Sequence, residues 1–309
     1  MNHQNSIELS GIPLLAALDS GYELAGLQEV NLDGCGLSEL PLSLLRLSDL
    51  SVLSLYDNLL TDVPSEISLL RRLRTLNLAQ NKLATLPESI GALEDLEMLD
   101  LGHNRLSELP ASLGALRKMV FLYLSNNKLV SLPAFLAALS NLSYLNITDN
   151  KIVALPAWIG RLSSLVELRI YNNALTTLPA EIGSLLHLVE LHAYGNQIDT
   201  LPDTIGQLAA LVKLDLQANQ IEELPESIGE LANLTELNLR FNQISSLPSG
   251  ITHLRSLETL DLRANALTNL PDDLSKLYNL RKLDLRWNRL AESPRCLAAL
   301  ADQGCIVYT

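Results

Sequence analysis

Arg240, Arg263 and Arg286 recur at a fixed interval of 23 residues near the carboxyl end of this chain. Placed side by side by a fold, three guanidiniums can hold a carboxylate or a phosphate through forked hydrogen bonds. Asp261 and Asp284 precede two of them by two residues. The same arginines therefore also suit an internally compensated Asp and Arg lattice, which contributes little per pair on an exposed surface. Both readings stay open at this level. Asp100 and His103 are a candidate pair for metal or proton chemistry, but no third ligand type stands nearby, so they read as solvated surface. The five histidines are scattered. Phosphate-cradling glycine loops, the dinucleotide fingerprint, H-E-x-x-H, G-x-S-x-G and paired C-x-x-C motifs are all missing. No catalytic residue, cofactor or metal site is expected.

The interval that spaces the arginines runs through the chain. From Leu27 one frame repeats twelve times without insertion or deletion, ending with the copy that starts at Leu280. In the copy at Leu73 it reads Leu73, Leu76, Leu78, Asn81, Leu83, Leu86, Pro87, Ile90 and Leu93. The alternation Leu76-Asn77-Leu78 predicts a strand with one buried face. The following asparagine, Asn58 through Asn288 with Cys35 in the first copy, stands where the chain must turn. Its side-chain amide can bond backbone groups that lack strand partners. The Leu-Pro pair then directs the chain outward, since proline locks its own backbone angle and restricts the residue before it. The segment that returns to the core has room only for a helical turn or a 3-10 piece. No single copy can bury its own leucines, so stacked neighbours create the core.

This frame resembles the leucine-rich repeat pattern L-x-x-L-x-L-x-x-N/C-x-L over nearly the whole chain. The phrase Leu-Pro-x-x-Ile-Gly, with slight variants at Leu86, Leu155, Leu178, Leu201 and Leu224, is similar to the 23-residue intracellular class. That class includes Ras-associated scaffolds of animals, their plant relatives and many bacterial proteins, type III effectors among them. The resemblance implies an α/β leucine-rich repeat solenoid, a horseshoe of about 12 repeats. A parallel β-sheet lines its concave face, and short helical or 3-10 segments line its convex face. It also implies protein binding. One domain is expected over 1–309, with an amino-terminal cap at 1–26, repeats at 27–294 and a carboxyl-terminal cap at 295–309. Ile12 to Leu18 reads as a short amphipathic cap helix. Leu297, Leu300 and Ala301 read as another, stopped by Gly304 before Ile306-Val307-Tyr308.

With the first leucine of a copy as position one, positions three, five and seven project onto the inner surface and position eight lies at its edge. These columns hold five of the 8 tyrosines, two of the 3 phenylalanines and one of the 2 tryptophans. Aromatic side chains with a polar tip are common anchors at protein interfaces. One expected partner-binding group is Phe121, Tyr123, Tyr144, Arg169, Tyr171, His192 and Tyr194. A second is Arg240, Arg263 and Arg286 with Phe241 and Trp287. The alternative is that the aromatic rings merely cover the sheet. On the outer face Phe135 and Trp158 occupy the same position in adjacent copies, which suits either self-association or local packing.

The net charge of −13 argues against a nucleic-acid backbone or an anionic membrane as the main partner. No stretch approaches a membrane span, and Met1 to Gly11 lacks the features of a signal peptide. Cys35, Cys296 and Cys305 lack metal-like spacing, and their odd number favours reduced thiols over a Cys296 to Cys305 bridge. The expectation is a cytoplasmic scaffold or adaptor that binds a protein partner. The alternatives are an effector or substrate-recognition subunit delivered into a host cell, and an enzyme with an unrecognised site.

Overall fold

The structure, a computed structural model, describes Gly11, Pro13, Ala16 and residues 26–290 and 294–309. Apart from Pro13 and Ala16, the expected cap helix at Ile12 to Leu18 lies outside the described residues. The chain divides into two compact units, Met1–Asn150 and Lys151–Thr309. No helix among the described residues is long and apolar enough to cross a membrane.

The first unit contains β1 (Glu29–Asn31), β2 (Val52–Ser54), β3 (Thr75–Asn77), β4 (Met98–Asp100), β5 (Phe121–Tyr123) and β6 (Tyr144–Asn146). Each strand pairs in parallel with the next, shifted by one repeat, as in Glu29 with Val52 and Phe121 with Tyr144. The second unit contains β7 (Glu167–Arg169), β8 (Glu190–His192), β9 (Lys213–Asp215), β10 (Glu236–Asn238), β11 (Thr259–Asp261) and β12 (Lys282–Asp284). It adds helix α1 (Arg295–Asp302) and strand β13 (Ile306–Tyr308), which pairs with β12. Period two is visible in the repeat strands: the central residue of β1 to β12 is buried and its neighbours lie on the opposite face, whereas Val307 at the centre of β13 is half-buried. The leucines of the frame form the core in both units.

The return segments are 3-10 helices, five residues long in most copies, such as Glu88–Ala92 and Ala180–Ser184. Pro179 precedes its segment in an extended conformation, and its carbonyl accepts the N–H of Ile182 at 3.0 Å. Leu185 N–H closes the turn on the Ile182 carbonyl at 3.1 Å. The i to i+3 spacing of a 3-10 helix puts Ile182 and Leu185 on one side, over the core. Glycine in this phrase permits tight stacking. A Cβ on Gly206 would stand 2.4 Å from the Ser227 carbonyl oxygen, and one on Gly229 would stand 2.2 Å from that of Gly250.

The asparagines tie one copy to the previous one. Asn81 Nδ2 donates to the Leu55 and Leu78 carbonyls at 2.9 and 3.0 Å, and its Oδ1 accepts the Leu60 N–H at 3.0 Å. The same triad recurs at Asn104 and Asn127. These backbone groups would otherwise be buried without partners.

Position eight, expected as an edge, also turns the chain. It has positive φ in every copy, from Gly34 at 63° and Asp57 at 54° to Phe241 at 58° and Trp287 at 63°. Gly, Asn and Asp accept this left-handed conformation readily, whereas bulky residues do so at a cost.

Candidate functional site

In the first unit, β5 and β6 bring Phe121, Tyr123 and Tyr144 onto the face away from the leucines. Tyr144 sits between the other two, its ring centroid 4.8 Å from that of Tyr123 and 6.4 Å from that of Phe121. Phe121 is 41% exposed. Asp100, opposite Tyr123 in register, is partly covered, and burial pushes its carboxyl above the usual range although the Gly102 N–H donates to it. His103 meets Asn126 at 3.1 Å.

The second unit carries Arg169, Tyr171, His192 and Tyr194. Tyr171 and Tyr194 hold the same position in adjacent copies, and their rings stack at 4.3 Å with 10° between planes. A strand spacing of about 4.8 Å brings equivalent rings face to face. Arg169 Nε donates to Glu167 Oε1. His192 Nε2 meets Glu190 Oε2 at 2.8 Å and stands 3.9 Å from Glu167 Oε1. Position three thus supplies acids to position five. This grouping escaped the sequence reading, although Glu167 and Glu190 each stand two residues before a basic side chain in the columns.

The arginines at position seven separate into two kinds. Arg263 forks onto Asp261 through Nε and Nη2 and stands 3.4 Å from Asp284. Arg286 forks onto Asp284 at 2.9 and 2.7 Å. Asp284 is only 1% exposed. Burial pushes its carboxyl up, but the Arg286 hydrogen bonds and the Arg263 charge outweigh that and hold it below the usual carboxylate range. These two arginines are internally compensated. Arg240 lacks such a fork, because Asn238 replaces the aspartate of the neighbouring copies, although its charge acts on Asp215. Among the described residues Arg240 has no ion pair, and its Nε is buried without a hydrogen-bond partner.

Beside these arginines, Phe241 and Trp287 lie 47% and 66% exposed. They are two copies apart, yet their centroids come within 6.4 Å. Ala264, between them in the column, is small enough to let the rings lean together over it. The Arg240 guanidinium stands 5.9 Å from the Phe241 ring, and that of Arg286 stands 5.9 Å from Trp287 and 5.1 Å from Tyr308. Tyr308 was not among the expected site residues. Its signal was the apolar run Ile306-Val307-Tyr308, which becomes β13 beside Asp284. Phe135 and Trp158 each lie half-buried on a 3-10 segment, one in each unit.

The family described as a leucine-rich repeat region matches residues 65–143 and 180–302, more than half of the chain. No curated protein matches it in sequence. Among solved structures, an internalin (inlF) from Listeria monocytogenes is 26% identical with a TM-score of 0.71, over 91% of this chain and 86% of that one. YopM from Yersinia enterocolitica is 27% identical with a TM-score of 0.62, over 92% of this chain and 59% of that one. The ectodomain of the plant receptor kinase GASSHO1/SCHENGEN3 from Arabidopsis thaliana is 30% identical with a TM-score of 0.73, over 91% of this chain but 38% of that one. It was solved in complex with CASPARIAN STRIP INTEGRITY FACTOR 2. With its repeated strands, asparagine triads, 3-10 returns and family match taken together, this chain belongs to the leucine-rich repeat family, in its bacterial-like class.

Proposed function

We propose that the chain is a protein-binding scaffold or adaptor whose partner seats on the open faces of its sheets, with no reaction of its own. The observation that carries this is the placement of exposed aromatic rings in two conformationally costly positions, Phe241 and Trp287. Their backbone strain brings no burial in return, which is what a ring held ready for a partner requires. Beside them Arg240, whose charge reaches Asp215 but which makes no ion pair among the described residues, offers a cation suited to an acidic group on that partner. The Tyr171 and Tyr194 stack of the second unit and the Phe121, Tyr123 and Tyr144 cluster of the first supply further anchors, with Arg169 and His192 as polar neighbours. That a similar receptor ectodomain was solved with a bound factor supports a protein ligand for this chain.

Cytoplasmic residence goes with this function and is supported by the free thiols of Cys296 and Cys305. The bacterial neighbours are compatible with delivery into another cell as well, and a secretion assay on the native protein separates the two.

The test is isolation of the partner from the native cell, followed by affinity measurements. Tyr171→Ala combined with Tyr194→Ala should weaken binding by about 30-fold or more, the scale of a hot-spot loss. Thermal unfolding should barely move, because neither ring lies in the leucine core. Unchanged affinity in this variant and in Phe241→Asn with Trp287→Asn would reject the proposal.

A further inference from the structure

The sequence columns carried no expectation of a metal, yet the open face of the second unit brings together three groups that suit one. Glu190 and His192 are two apart on β8 and so share a face. Glu167 on β7 is the register partner of Glu190. One ligand atom from each of Glu167, Glu190 and His192 lies within 4.8 Å of the others. The individual separations from His192 Nε2 are 2.8 Å to Glu190 and 3.9 Å to Glu167. Ligands held at about 2.0–2.2 Å around a tetrahedral ion stand about 3.4 Å from one another. The two measured separations bracket that distance, so small side-chain rotations suffice.

We propose that Glu167, Glu190 and His192 form a binding site for one divalent transition-metal ion of the zinc type. One imidazole nitrogen with two carboxylates favours zinc, cobalt or nickel over magnesium or calcium, which prefer oxygen shells. Three protein ligands leave a position open to solvent, since the face above them is uncovered.

The surrounding charges set the terms of binding. Arg169 occupies Glu167 Oε1 with a side chain that is 38% exposed, so an incoming ion must displace it toward solvent. Lys213, the register partner of Glu190 on β9, is drawn instead to Glu236 at 3.5 Å. Asp215 faces His192 from β9, its carboxyl pushed above the usual range by burial. The His192 side chain is only 12% exposed and is therefore held in place before any ion arrives.

The experiment is a titration of the untagged full chain with Co²⁺, followed by visible absorption, and with Zn²⁺, followed by calorimetry. One equivalent of Co²⁺ should bind and be displaced by Zn²⁺. His192→Ala and Glu190→Gln should each weaken binding by about tenfold or more. Arg169→Ala should bind at least as tightly as the wild type, because it frees Glu167. Absence of one-to-one binding at about millimolar Co²⁺, or wild-type affinity in His192→Ala, overturns the assignment. Circular dichroism of the metal-free variants distinguishes lost ligation from lost folding. Should His192→Ala fail to fold, the half-exposed Glu190→Gln decides the matter alone.

Discussion

Phe241 and Trp287 occupy a backbone region in which the Cβ of an L-residue crowds the neighbouring carbonyl, at a cost of about 1–2 kcal/mol each. At the same position Asp57, Asn126, Asp149 and Gly195 meet the requirement with residue types that tolerate it. The Phe241 and Trp287 ring contact returns about 0.5–1.5 kcal/mol, less than the strain of the two positions together but close to that of Trp287 alone. Trp287→Asn should therefore leave the unfolding free energy within about 1 kcal/mol of wild type while partner affinity falls by about 30-fold. Chemical denaturation alongside a binding titration checks both halves. A stability loss of about 3 kcal/mol, the size of a core truncation, would show instead that the ring is structural. Arg240 follows the same logic by a different route: one substitution in the column, Asn238 for aspartate, leaves its buried Nε unmatched.

The 3-10 segments are linked to one another by carboxylates as well as by close packing. Glu226 accepts the N–H groups of Gly250 and Ser249 at the start of the next segment, and Glu88 does the same for Ser112 and Ala111. The backbone hydrogen bond from Gly250, helped by Ser249, holds the Glu226 carboxyl below its usual range. A carboxyl depressed by folding stabilises the folded state above its unfolded pKa, and that contribution fades as pH falls through the folded value. The melting temperature of wild type should thus exceed that of Glu226→Gln at neutral pH, and the gap should close below the ordinary carboxylate range. Thermal melts across an acid series read this directly. A gap that ignores pH would assign the effect to shape rather than charge. Because this group is fully exposed at the surface, its effect is expected to be modest.

Across the molecule, twelve copies share one frame, and stability is close to a sum over copies and the contacts between neighbours. The net charge of −13 sets a field that attracts a basic partner and repels nucleic acid. Association with the partner should slow by about tenfold between low salt and about 0.5 M salt, where screening reaches only a few ångströms. Stopped-flow rates that ignore ionic strength would remove electrostatic steering from the account. Much of the architecture was legible before any coordinates. Leu76-Asn77-Leu78, Asn81 and Leu86-Pro87 define a strand, a turn and a 3-10 return, because each depends on short-range geometry that recurs every 23 residues. The asparagine triads followed from the same need to satisfy turning backbone. Position eight was harder to read: its Asp, Asn and Gly members hint at positive φ, but Ala218, Phe241, Ala264 and Trp287 mask the hint. Period and hydrophobic pattern determined by themselves the repeat, its faces and the candidate columns, since every copy must bury the same leucines against the next. Only the tertiary structure decided which side chains within a column pair: Arg263 with Asp261, His192 with Glu190, Phe241 with Trp287 across Ala264, and Tyr308 with Arg286 after α1 shifts the register. Those choices turn on separations of an ångström or two between neighbours, which spacing along the chain does not specify.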